Sequence, residues 1–94
     1  MSNKLAKFEI GQLVATRGAM AKVNHEEMLK AIARHIKGDY GDMCEEDCKS
    51  NEDALKFGGR IFSSYKNIDR VKFWVITEGE GSGIITTVLL PSEY

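Results

Sequence analysis

The chain changes character at Arg60. Before that point apolar residues recur at helical spacing between capping and turn residues. After it, "RIFSSYK", "VKFWVITE" and "IITTVLL" are rich in β-branched and aromatic residues and are separated by turn-forming segments. Helices first and strands second predict an α+β fold. The expected architecture is two to three N-terminal helices packed on a three-stranded antiparallel meander. An extra N-terminal strand is allowed by "KFEIGQLVAT" (Lys7–Thr16), which reads as a short strand or an extended arm. "NIDR" and "GEGSG" are short enough to join antiparallel neighbours, and Pro91 stops the last strand. Alternation puts Ile61, Phe73, Val75 and Val88 on one face and Phe62, Trp74, Ile76 and Leu89 on the other. Both faces are apolar. Helices should cover one of them, and a partner or second subunit part of the other.

The firmest helical signal is "VNHEEM". Asn24 can cap, Glu27 can reach back from the third helical position, and Val23 can pack on Met28. Met28, Leu29, Ile32 and Ile36 follow at helical spacing and Gly38 closes the segment, so a helix is expected over Asn24–Lys37. Upstream, "TRGAMAKV" reads as a short helix capped by Thr16 and weakened by Gly18. Downstream, Asp42 with Glu45 suggests a second capping box. The helix it opens should end before Gly58–Gly59, with Cys44, Cys48, Asn51 and Leu55 on its inner face.

Ninety-four residues make one domain, of which 43% are hydrophobic. A chain this short buries only about two-thirds of the surface its unfolded form exposes. Any site should therefore lie on the surface or at a subunit interface, not in a large internal pocket. A net charge of −1 leaves no basic footprint for DNA or RNA, which makes a nucleic-acid partner unexpected. No apolar run approaches the roughly 20 residues of a membrane span, and the start lacks a signal-peptide core. The expected compartment is the cytoplasm, with Cys44 and Cys48 as reduced thiols.

The residues that carry chemistry elsewhere fit no catalytic pattern here. Cys44 and Cys48 share a helix face at CxxxC spacing and, with His25 or His35, have the ligand types of a zinc site, but no second ligand pair is visible. The acids that follow Cys44 raise a thiol pKa and speak against thiol catalysis. "HEEML" lacks the second histidine of a zinc-protease helix, its place being taken by Leu29. "GEGSG" precedes a strand rather than a helix, so it reads as a hairpin turn and not a phosphate loop. No metal, cofactor or catalytic residue is expected, and the chain leans away from an enzyme.

What remains is "KGDYGDMCEEDCKSNEDAL", with seven carboxylates in nineteen positions. Its acids could hold a hard cation such as magnesium or calcium, but they lack EF-hand spacing and read better as a solvated helix face. Tyr40, between glycines and aspartates, looks exposed and suits protein recognition. The candidate partner-binding residues are Asp39, Tyr40, Asp42, Glu45 and Glu46, with Trp74 on the second sheet face. On this reading Tyr40→Ala abolishes binding and leaves the fold intact.

The order "IGQLVATRGA", "HIKGDYGDMCEED", "NEDALKFGGRIFSSY", "FWVITE" and "TTVLLPSEY" resembles a family of small uncharacterised proteins encoded by phages, plasmids and integrated elements of bacteria, gut Firmicutes among them. The resemblance runs from about Ile10 to Tyr94. Two departures stand out. The turn aromatic is usually tryptophan in such relatives and is Tyr40 here, and "GEGSG" replaces an acidic-basic pair near a serine. The resemblance implies a mobile-element accessory protein that binds a host protein, such as a bacterial defence component it inhibits. A small-ligand or nucleotide binder using Arg17, Arg34 and Arg60 is the alternative. A nucleic-acid-associated regulator lacks a basic stripe, and a homo-oligomer is compatible with either reading.

Overall fold

The computed structural model describes residues 6–94. Helix α2 (His25–Ile36) forms where the capping signal predicts it. The Asn24 side chain accepts from the Glu27 N–H at 2.8 Å, and one Glu27 carboxylate oxygen accepts from the Asn24 N–H. The other oxygen accepts from the Ile68 N–H at 2.9 Å, so one residue caps the helix and anchors a distant turn. At the far end Asp39 N–H reaches the Arg34 carbonyl and Gly38 N–H the His35 carbonyl. That double closure needs the left-handed conformation Gly38 supplies at φ 89°. The buried stripe is Met28, Ala31, Ile32 and His35. Leu29, expected on it, points to solvent, because it lies about 100° round the helix from Met28.

Helix α1 (Arg17–Lys22) is capped by Thr16, whose hydroxyl accepts from the Ala19 N–H. Helix α3 (Glu45–Phe57) departs from expectation at its start. Cys44 occupies the cap position and makes no side-chain hydrogen bond, and Asp42 lies outside the helix. The reason is that the preceding backbone is already engaged. Ser64 N–H donates to the Tyr40 carbonyl at 3.0 Å and Asp42 N–H to the Ser64 carbonyl at 2.7 Å. Glu45, Glu46 and Asp47 still fill the first turn, where the helix dipole favours negative charge. Of the expected inner face, Asn51 is buried, Cys48 and Leu55 are half-buried, and Cys44 is exposed.

The sheet joins β1 (Gln12–Ala15), β2 (Ile61–Lys66), β3 (Lys72–Glu78) and β4 (Ile85–Leu89) in the order β1-β4-β3-β2. The three C-terminal strands form the expected antiparallel meander. The "KFEIGQLVAT" segment supplies the extra strand, which lies parallel to β4 and makes the sheet mixed. The registers place Ser63 opposite Val75 and Val75 opposite Val88, and Phe62 opposite Ile76. The two faces are therefore those read from alternation.

The first face packs under α1 and α2. Ala19, Val23, Met28, Ala31 and Ile32 meet Tyr65, Phe73, Val75 and Val88 in one core cluster. The second face carries Phe62, Ser64, Trp74, Ile76 and Leu89 and is covered in part by the chain's own C-terminus. After β4 the turn Pro91–Glu93 directs Tyr94 onto Phe62 and Trp74, with ring centroids at 6.3 and 5.5 Å. Glu93 holds that turn in place. Its carboxylate accepts from the Leu90 and Gly18 N–H groups at 2.9 Å and from the Thr16 hydroxyl. Among the described residues no helix is long and apolar enough to cross a membrane.

Candidate functional site

A cleft of about 550 Å³ opens between the N-terminal half of α3 and the second face of the sheet, at the β2 side. Its floor is aromatic. Phe62 on β2 and Trp74 on β3 sit edge to face with centroids 4.7 Å apart, and Tyr94 closes the triangle. Edge-to-face contacts of this kind set positive ring edges on negative ring faces and hold the rings in place. Arg60 leans over Phe62 and Tyr94, 5.7 and 5.4 Å from their centroids, and donates to the Tyr94 hydroxyl. Lys72 lies on the same sheet wall, while Asp47 and Ser50 of α3, with Asp42 from the turn before it, line the opposite wall. The cleft thus has a rigid aromatic base between a basic rim and an acidic rim.

The residues singled out from sequence divide into two groups. Asp42 and Trp74 line the cleft together. Glu45 and Glu46 are exposed in the first turn of α3, beside it. Asp39 faces away and forms a two-pronged ion pair with Arg34, at 2.7 and 3.1 Å. The Arg34 hydrogen bond holds the Asp39 carboxyl below its usual range, so this acid is already neutralised.

Tyr40 is the clear correction. It is 4% exposed, its hydroxyl donates to Glu52 at 2.7 Å, and its carbonyl bonds β2. Burial and the Glu52 carboxylate both push its phenol pKa upward. A Gly-Asp-Tyr-Gly-Asp turn looks exposed by composition, but here the turn lies along a sheet edge. The ring fills the gap between that edge and α3. Tyr40 therefore cannot contact a partner directly, and Tyr40→Ala is a fold-damaging substitution rather than a clean binding variant.

Phe62, Arg60, Lys72 and Tyr94 escape a sequence search for sites because each belongs to a strand or terminus with no motif of its own. The signal available was the alternation that put Phe62 and Trp74 on one face. The three arginines proposed as anion contacts are not brought together. Arg34 is paired with Asp39, and of the three Arg60 alone lines the cleft.

A second arrangement merits chemical scrutiny because it contains a serine beside a histidine. His35 is fully buried, with Nδ1 2.5 Å from the Ser63 hydroxyl and Nε2 2.9 Å from the Thr77 hydroxyl. Thr77 contacts Thr86 at 2.7 Å, and Thr86 donates to the Ile10 carbonyl at 2.7 Å. Counting donors from the carbonyl end fixes the bonds as far as the imidazole. A carbonyl cannot donate, so Thr86 gives its proton to Ile10 and must accept from Thr77. Thr77 in turn accepts from His35 Nε2–H. Burial lowers the imidazole pKa to about 4, so near neutral pH the ring is uncharged with its one proton on Nε2, and Nδ1 accepts from Ser63. Ser63 is also fully buried, and the chain ends on a carbonyl rather than a carboxylate. The Phe8 ring stacks edge-on to the imidazole at 5.1 Å. No substrate atom reaches this hydroxyl, and the arrangement acts as a cross-link through the core.

Cys44 is exposed and Cys48 half-buried, and burial together with the neighbouring acids pushes the Cys48 thiol up. Among the described residues no three His, Cys, Asp or Glu side chains converge as metal ligands. No protein-family model, no curated protein and no solved structure matches the chain.

Proposed function

We propose that this chain is a binding module that docks a macromolecular partner through the Trp74 cleft, as a small mobile-element accessory protein acting on a host protein. A bacterial defence component is the partner class that the sequence resemblance favours. One observation carries the reading. Phe62 and Trp74, held edge to face and braced by Tyr94, form a preorganised aromatic floor between Arg60 and Lys72 on one side and Asp42 and Asp47 on the other. Aromatic anchors ringed by charges of both signs are the usual make-up of protein recognition surfaces. The mixed rim selects by charge register, and the fixed rings spare the entropy of ordering a side chain on binding.

The test is capture from a lysate of the bacterial host, comparing wild type with Lys72→Glu and Asp47→Lys. Both residues are exposed, so neither change touches the core. One host protein at stoichiometric yield, lost in both variants, is the expected result. Equal capture by all three proteins rules the cleft out. A nucleotide is the second reading, because Arg60 beside the rings suits an anionic aromatic ligand. A rise in melting temperature with a nucleotide, abolished by Arg60→Ala, would replace the protein partner with that ligand.

A further inference from the structure

The two edges of the sheet are treated differently, and the untreated one carries an inference about assembly. Strand β1 lies at the edge and pairs on one side only. Gln12 N–H donates to the Ile84 carbonyl at 2.9 Å and Thr16 N–H to the Val88 carbonyl at 3.0 Å. In this parallel register Gln12 and Val14 turn their backbone groups to β4, so Leu13 and Ala15 turn theirs outward. Among the described residues nothing pairs with those four groups. The usual guards of an edge are also missing, since "QLVA" contains no lysine, no proline and no charge. Exposed apolar side chains surround it instead: Leu13 at 44%, Val14 at 38%, Ile85 at 39% and Met20 at 68%.

We infer that β1 pairs with β1 of a second copy of this chain, antiparallel about a two-fold axis through Val14, to give a continuous eight-stranded sheet. Three observations select a second copy over a foreign strand. First, the outward residues are symmetric about Val14. Leu13 of one copy faces Ala15 of the other, and the two such pairs satisfy all the outward groups. Second, the strand is uncharged, so self-pairing meets no like-charge penalty in its centre. Third, the flanks are complementary under two-fold symmetry. Glu9 precedes the strand and Arg17 follows it, so antiparallel pairing brings the acidic end of each copy toward the basic end of the other. Neither forms an ion pair among the described residues. An isologous contact of this kind closes after two copies and does not propagate. It also leaves the Trp74 cleft free, because β2 is the opposite edge, and a dimer carries two clefts at its far ends.

The experiment is the solution mass of the full chain by sedimentation equilibrium across a wide concentration range, with circular dichroism to confirm folding. Wild type is expected to reach the mass of two chains, and a monomer at every concentration overturns the inference. Val14→Lys and Val14→Glu each place like charges face to face on the axis and should weaken self-association by about tenfold or more. Mixing the two variants should restore a dimer containing one chain of each. A wild-type dimer that both variants leave intact, or a mixture that stays monomeric, also overturns it. A merely misfolded variant cannot be rescued by its opposite charge.

Discussion

The two edges of one sheet meet opposite fates in this molecule. At β2 the outer backbone is sealed twice. Asn51 of α3 donates to the Phe62 carbonyl at 2.8 Å and accepts from the Phe62 N–H at 2.9 Å, imitating a neighbouring strand with one side chain. Two residues on, Tyr40–Asp42 pairs with Ser64 on both sides. At β1 the outward groups of Leu13 and Ala15 meet no described residue. An edge hydrogen bond is worth little until its alternative is an unpaired group out of water. The sealed edge is therefore where the fold is guarded, and the open edge is where a further chain can be added. The hydrogen-bonded chain Ser63–His35–Thr77–Thr86–Ile10 crosses from one edge strand to a residue two positions before the other, tying both to α2.

The comparison can be broken most forcefully at Tyr40. Tyr40→Ala empties an aromatic site at the sealed edge and should cost about 3–5 kcal/mol in urea unfolding. Tyr40→Phe loses the Glu52 bond alone and should cost about 1 kcal/mol, since Glu52 keeps Lys7 as a partner. Equal losses in the two variants would refute the packing role.

Next comes the cross-link between the edges. The folded pKa of His35, about 4, lies below its ordinary 6.5, so the unfolded chain binds more protons between these values. The stability contributed is fully present above about pH 6.5 and lost as pH falls through the window to 4. Its size is about 3 kcal/mol for a difference of that order. Wild type should thus lose stability more steeply than His35→Gln across this window. Parallel slopes would show that His35 protonates freely in the folded state.

The third test is Asn51→Ala. Removing the fork strands both Phe62 backbone groups and should cost about 2 kcal/mol. It should also unseal β2, so that the variant forms species larger than two chains in sedimentation. A variant that is destabilised yet associates no further than wild type would separate edge protection from stability.

Much of this fold was legible before any coordinates. The Asn24–Glu27 box, the Gly38 closure and the two sheet faces all follow from local spacing, because capping and alternation are short-range rules. The misreadings differ in cause. Leu29 was placed on the stripe although it lies a quarter-turn off it, whereas Asp42 carries an ordinary capping signal and the contact that decides it, with Ser64, lies far away in sequence. His35 reads as a polar residue at the end of an amphipathic helix, and nothing adjacent announces Ser63 or Thr77, 28 and 42 positions on. The site was half legible. Trp74 and Asp42, both singled out from sequence, line the candidate cleft, whereas Tyr94 braces its rings only because Glu93 folds the last turn back onto Thr16 and Gly18.

By itself, then, the sequence determined the class of fold, the ends of α1 and α2 and which strand residues share a face, since those depend on backbone propensities and periods of a few residues. The tertiary structure decided which side of β4 the first strand takes, that Tyr40 is a wedge and not a beacon, and which sheet edge is left open. Those outcomes turn on pairings between residues tens of positions apart, where burial and backbone hydrogen bonding outweigh the local preferences that a sequence displays.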